Sequence, residues 1–165
     1  MSTTRMNVPG FDDIYMDLAQ TLARKSHCVK MQVGAVLTKD TRIISLGYNG
    51  PPAGTHNCDQ EWPETGCPRD SKGGCSLAIH AEQNAILYAA KNNVSVEGAT
   101  LYVTLSPCLA CAKVVFTSGI KKVIFLNSSA QYKGIASDEG VDFLRQFHVD
   151  VVQYQPTTDF HTITK

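Results

Sequence analysis

From Gln32 to Tyr154 the apolar residues switch period again and again, and that alternation limits the folds open to the chain more than any other feature. "QVGAVLTKDTRIISLGYNG" carries two β-branched runs, 33–38 and 42–48, around the turn residues Lys39, Asp40 and Thr41, the pattern of a β-hairpin. Residues 77–91 read as a helix and "GATLYVTLSP" as a strand stopped by Pro107. "CLACAKVVFTSG" reads as a helix with Gly119 just past its end, and "KKVIFLNSS" as a strand. "SDEGVDFLRQFH" reads as a short helix broken near Gly140, and "VDVVQY" as a last strand. Ahead of the hairpin, Ile14, Leu18 and Leu22 recur at helical spacing, with Asp12 and Asp13 suited to a first turn. This order predicts an α/β domain of three α/β/α layers around a five-stranded mixed sheet. The hairpin supplies an antiparallel pair, and the helical crossovers supply parallel ones.

With 165 residues, one domain over 1–165 is expected, its core at about 11–154 and a Cys-rich insert at 50–76. Lys+Arg and Asp+Glu both number 15, so the chain lacks the basic excess of a protein that grips a nucleic-acid backbone, and no nucleic-acid partner is expected. No apolar run is long enough to span a membrane, and "MSTTRMNVPG" has no signal-peptide core, so a cytoplasmic setting with no membrane partner is expected. The six cysteines are then expected to stay reduced, each as a buried apolar residue, a reactive group or a metal ligand. The segment from Gly50 to Ser76 is rich in Gly, Pro, Cys and charge, and loops of that length are usually functional or pinned. The tail from Gln155 reads as polar and loosely held.

Two short motifs carry chemistry. In "IHAEQNAI", His80 precedes Glu82 by two residues at a helix start. An acid there complements the helix dipole, or the pair is a metal ligand beside a proton carrier. In "PCLAC", Cys108 and Cys111 share one helix face in a first turn, where the dipole favours thiolates. Alone they are two buried thiols, a redox pair or metal ligands. Taken together, one histidine and two thiolates make a three-ligand zinc site with the fourth position left for water, which is the catalytic pattern. Glu82 then remains as the proton carrier.

"HAE" followed by "PCLAC" resembles the H-x-E…P-C-x-x-C signature of the zinc-dependent cytidine/deoxycytidylate deaminase superfamily. "VGAVLTKDTRIISLGYNGPPAGTHNC", "HAEQNAILYAA" and "GATLYVTLSPCLACAKVVFTSGIKKVIF" resemble its deoxycytidylate (dCMP) branch, over about residues 11–154. The resemblance implies a cytidine-deaminase-like fold and hydrolysis of dCMP to dUMP and ammonia, feeding dTMP synthesis. It makes His80, Cys108 and Cys111 ligands of a catalytic Zn²⁺, and Glu82 the shuttle that moves a proton to N3 and then to the leaving amine.

The same resemblance puts Asn49 and Asn84 near the nucleotide, where an amide both donates and accepts. For Asn49 a turn role is the alternative. Ser106 either lines the base pocket or caps the next helix. Tyr132 either contacts the nucleotide or is a buried tyrosine. Cys28, Cys58, Cys67 and Cys75 are either a second, structural zinc site or ordinary thiols, with His27 or His56 able to replace a cysteine. An effector site is implied around Gly47, Asn49 and Gly50, taking dCTP with Mg²⁺ as activator and dTTP as inhibitor, in a homo-oligomer that is a hexamer.

Rival readings are a deaminase of tRNA adenosine or another base, a non-catalytic zinc-binding module, and a competence-type relative. The Cys-bearing insert and balanced charge count against the first. Glu82 counts against the second, since a structural zinc site needs no acid. The intact constellation counts against the third.

Overall fold

A computed structural model describes residues 8–64, 67–71, 73–134 and 137–157 of the protein. Helix α1 (Phe11–Ala23) leads into the hairpin of β1 (Gly34–Lys39) and β2 (Arg42–Tyr48). A four-residue helix, α2 (Cys58–Glu61), precedes α3 (Ala81–Lys91), β3 (Thr100–Leu105), α4 (Leu109–Thr117) and β4 (Lys122–Asn127). The short α5 (Ser129–Lys133), α6 (Glu139–Gln146) and β5 (Asp150–Gln153) complete the order. The five strands form one mixed sheet, as the sequence pattern predicts, and their order is β2-β1-β3-β4-β5. β1 is antiparallel to both β2 and β3, while β3, β4 and β5 are parallel. The crossover through α3 steps over β1, so β2 and β3 run the same way without pairing.

Period-two alternation sorts the sheet's two faces. Ala35, Leu37, Leu101, Val103, Val123 and Phe125 pack under α3, α4 and α6. Val36, Tyr102 and Ile124, one residue out of step, pack against Tyr15, Met16 and Ala19 of α1. Central strands covered on both faces need apolar residues at nearly every position, which is why β1 and β3 read as continuous runs. In the hairpin turn Asp40 and Thr41 have φ of 50° and 59°, the left-handed pair that matches strand twist. The Tyr15 hydroxyl donates to the Thr41 carbonyl at 2.6 Å and ties the turn to α1.

Four expectations change. α3 starts at Ala81 rather than near 77, because Ile79 is held in an extended bridge to Gly50. α6 runs unbroken through Gly140. A Cβ there would sit 1.9 Å from the Pro107 carbonyl oxygen, so this glycine permits close packing instead of breaking the helix. The short helices α2 and α5 fall below the length at which periodicity is readable. The chain end is held as far as Thr157: the Tyr154 hydroxyl donates to Asp13 at 2.6 Å, and Thr157 donates to the same carboxylate through its amide and hydroxyl. The rest of the tail expected to be loose lies outside the described residues. Among the described residues no helix is long and apolar enough to cross a membrane.

Candidate active site

The site is assembled from two helix N-termini. An N-cap position usually holds Ser, Thr, Asp or Asn, whose oxygen accepts from the first-turn amides. Here the N-caps of α3 and α4 are His80 and Cys108, and neither side chain makes a capping bond. Gln83 instead accepts from the His80 amide at 3.3 Å, which leaves the imidazole free. Cys111 sits one turn into α4 and is fully buried. β3 delivers α4 through Pro107, and α3 is pressed onto β2 at Gly47, where a Cβ would come within 2.6 Å of the Ala81 carbonyl oxygen and the Ala85 amide. The two helices therefore aim their first turns at one point.

At that point His80 Nδ1 lies 3.2 Å from Cys111 Sγ and 3.6 Å from Cys108 Sγ, and the three ligand atoms all fall within 4.8 Å of one another. Tetrahedral zinc bonds of ordinary length place N and S ligands about 3.6 Å apart, so the set fits a zinc ion. Its electrostatics also suit a cation. The Cys108 thiol is pulled down to about 3, chiefly by the hydrogen bond from Cys111 and further by His80, against the cost of burial. The shared proton, together with burial and Glu82, pushes Cys111 up. His80 is raised, first by its bond to Cys108. Glu82 is buried beside them, 4% exposed, and burial pushes its carboxyl up to about 7.

His80, Glu82, Cys108 and Ser106 line a cavity of about 310 Å³. Asn49 reaches its wall, but its amide is engaged with backbone: Oδ1 accepts from Val33 N–H and Nδ2 donates to the Met31 carbonyl, both at 2.8 Å. Ser106 does not cap α4. Its hydroxyl donates to Asp138 and accepts from the Ser129 amide. Asn84 faces a different cavity, of about 640 Å³, with Gly47, Asn49 and Gly50, and donates to the Tyr48 carbonyl at 2.7 Å. Tyr132 is 60% exposed, so it is not a buried tyrosine, and it lines a third cavity beside Leu105 and Asn127.

The remaining four cysteines gather without closing. Cys58 and Cys67 are buried, Cys28 is half-buried and Cys75 is exposed; none is in a disulfide. Cys67 is hydrogen-bonded to both Cys58 and Cys75, and its thiol is pushed up to about 11, first by the Cys75 bond and then by burial. Cys28 is near enough to act on Cys58 and Cys67 through its charge. Among the described residues, however, only His80, Cys108 and Cys111 bring three ligand atoms within 4.8 Å. His27 and His56 turn Nδ1 toward Asp59 and Glu61, at 2.8 and 3.7 Å, which leaves Nε2 of each ring uncommitted by that contact.

A family model for the cytidine and deoxycytidylate deaminase zinc-binding region matches residues 10–127. The chain belongs to that family. It is 35% identical over 182 aligned positions to the deoxycytidylate deaminase of Enterobacteria phage T2, covering 88% of this chain and 95% of that one. It is 38% identical over 136 positions to the deoxycytidylate deaminase of Mycobacterium phage D29, covering 75% and 100%. Its fold matches the crystal structure of the dCMP deaminase from cyanophage S-TIM5 in complex with dCMP and dUMP, with TM-score 0.73 and 33% identity over 90% of this chain and 99% of that one.

Three residues at this family member's site escape sequence reasoning. Lys30 and Lys133 are exposed on the cavity wall, and Asp138 lies behind Ser106. Lys30 carries no local signal. The run "SDEG" does mark Asp138 as a helix-start residue, though not as a neighbour of Ser106.

Proposed function

We propose that the protein is a dCMP deaminase, adding water at C4 of the cytosine ring and releasing ammonia to leave dUMP. The observation that carries this reading is a buried carboxyl, Glu82, beside a His/Cys/Cys ligand set in a cavity that also holds two lysines. A zinc ion held by His80, Cys108 and Cys111 supplies the acidity that makes water a nucleophile at neutral pH. Glu82 is the single acid on the cavity wall among the described residues. It accepts a proton from the attacking water and delivers it to N3, then takes the remaining proton of the new C4 hydroxyl and gives it to the 4-amino nitrogen as the C4–N bond breaks. Burial keeps competing water from the carboxyl. Lys30 and Lys133 suit the 5′-phosphate, since ammonium groups bind phosphate as point charges. Ammonia release should therefore be fast with dCMP and slow with deoxycytidine. Glu82→Gln should abolish it, and Lys133→Ala should raise KM for dCMP alone. Equal rates with the nucleoside would remove the phosphate assignment; no release from dCMP with zinc bound would send the reading to tRNA and free bases.

The same reading extends to regulation. The cavity of about 640 Å³ formed by Gly47, Asn49, Gly50 and Asn84 also carries Lys25 and Lys91, a charge pattern suited to the triphosphate of dCTP with Mg²⁺ or of dTTP. Exposed Leu46, Leu87 and Tyr88 on its wall support assembly of subunits there, into a hexamer. Light scattering and dCMP saturation curves with each effector test this; a monomer indifferent to both would remove it. Cys28, Cys58, Cys67 and Cys75 would hold a second, structural zinc, supported by the contacts among their thiols. Residues 11–154 then act as one domain, with the insert 50–76 forming part of the wall of the site.

A further inference from the structure

One carboxylate oxygen behind the catalytic cavity collects three hydroxyls. Asp138 Oδ2 accepts from Ser106, from Ser128 at 3.2 Å and from Ser129 at 3.4 Å. Its other oxygen is buried with no hydrogen-bond partner among the described residues. Buried acceptors without partners are rare and costly, and they persist where the surrounding structure fixes them for another purpose. Ser106 is 2% exposed, and its oxygen is fully committed: it donates its proton to Asp138 and accepts from the Ser129 amide at 2.7 Å. Ser106 follows the last residue of β3 and immediately precedes Pro107 and Cys108, so this carboxylate grips the strand–helix junction that carries a metal ligand.

A second contact holds the same junction from the backbone side. The first turn of α6 presses on Pro107 and Cys108 so closely that a Cβ at Gly140 would lie 1.9 Å from the Pro107 carbonyl oxygen and 2.9 Å from the Cys108 carbonyl carbon. Asp138 is the N-cap of α6, yet its side chain makes no capping bond. The carboxylate is spent across the fold, 32 residues away, rather than on its own helix.

We propose that Asp138 is a positioning residue, which fixes Cys108 against His80 and Cys111 by clamping Ser106 while Gly140 lets α6 seat on the junction. The inference rests on the deaminase reading for its kinetic consequence, but not for its consequence on metal retention. Groups that orient metal ligands from behind typically contribute 10- to 100-fold to affinity or activity.

The test uses zinc-loaded full-length protein and compares wild type with Asp138→Asn, Asp138→Ala, Ser106→Ala and the Asp138→Asn/Ser106→Ala double variant. Zinc release to a chromophoric chelator and kcat and KM for dCMP are measured, each alongside the thermal midpoint. Asp138→Asn and Ser106→Ala are expected each to speed zinc release and lower kcat by about 10-fold or more, with KM little changed. The double variant should be no worse than the worse single one, because both changes break one linkage. Wild-type zinc release and kcat in Asp138→Asn would overturn the proposal. So would multiplying effects in the double variant, or a loss that follows the thermal midpoint alone. If Asp138→Ala does not fold, the Asn and Ser106 variants still decide. If wild type releases no ammonia from dCMP, the deaminase reading falls and zinc release alone judges Asp138.

Discussion

The two cysteine clusters of this protein lie side by side, with Cys28 and Cys75 on the wall of the cavity that contains His80 and Cys108, yet they are held in different ways. The His80, Cys108 and Cys111 set stands on the first turns of α3 and α4, each packed on the central sheet. The other four cysteines stand on connecting segments whose regular structure, among the described residues, is the four-residue α2 and the isolated bridges Gly50–Ile79 and Arg69–Cys75. In the first cluster secondary structure fixes the ligand geometry, and the ligand atoms close to within 4.8 Å. In the second, burial and hydrogen bonds bring the thiols near each other without closing a shell. On the proposed reading, a metal bound by the first set would serve chemistry, whereas one bound by the second would contribute folding free energy.

Breaking the first cluster should give the largest effect. Cys111→Ser replaces a fully buried ligand, and activity is expected to fall to background together with bound zinc, while circular dichroism stays that of wild type. Glu82→Gln should separate chemistry from metal binding: kcat falls by about 10²- to 10⁴-fold with zinc retained. Metal analysis beside a rate assay checks both. An active Glu82→Gln enzyme would remove the proton shuttle from this carboxyl.

Breaking the second cluster should invert the pattern. Cys58→Ser, at the most buried of the four, is expected to lower zinc content and the thermal midpoint by roughly 5–10 °C, for a loss of about 2–3 kcal/mol. Remaining activity per zinc-loaded catalytic site should be close to wild type well below the midpoint. Equal losses of kcat in Cys58→Ser and Cys111→Ser would erase the distinction between the clusters.

The contrast also marks what was legible in the chain. His80, Glu82, Cys108 and Cys111 form two local patterns, and helical geometry alone brings each pair to one end of a helix. The alternating periods likewise fixed the strands, because the sheet's two faces demand them. Asp138, Lys30 and Lys133 reach the cavity through tertiary packing, which no spacing encodes. Gly140 was misread because a glycine within a helical pattern reads as a break, whereas here it permits contact with Pro107. Asn84 could have been placed from the start: two residues beyond Glu82 it is turned about 200° around α3, away from the carboxyl's face, and it does line the other cavity.

The smallest expected effect comes from a residue remote from both clusters, and it sharpens their comparison by isolating stability from function. Asp13 is 2% exposed, and its carboxylate accepts from the hydroxyls of Thr157 and Tyr154 and from the Gly10 amide. The Thr157 and Tyr154 bonds hold its carboxyl below the usual carboxylate range, against the cost of burial. A carboxyl lowered by folding contributes stability above its unfolded pKa, near 4, and that contribution is lost as pH falls through the folded value. Asp13→Asn should therefore lower the thermal midpoint at pH 7, and the deficit should shrink steadily as the pH is taken below about 4. Zinc release and kcat should be unchanged at temperatures where both proteins are folded. A deficit that persists in acid would mean the lost packing, and not the ionised carboxylate, stabilises this corner. A change in zinc release would mean that global loosening reaches the catalytic ligands, and the rigid frame assigned to α3 and α4 would have to be given up.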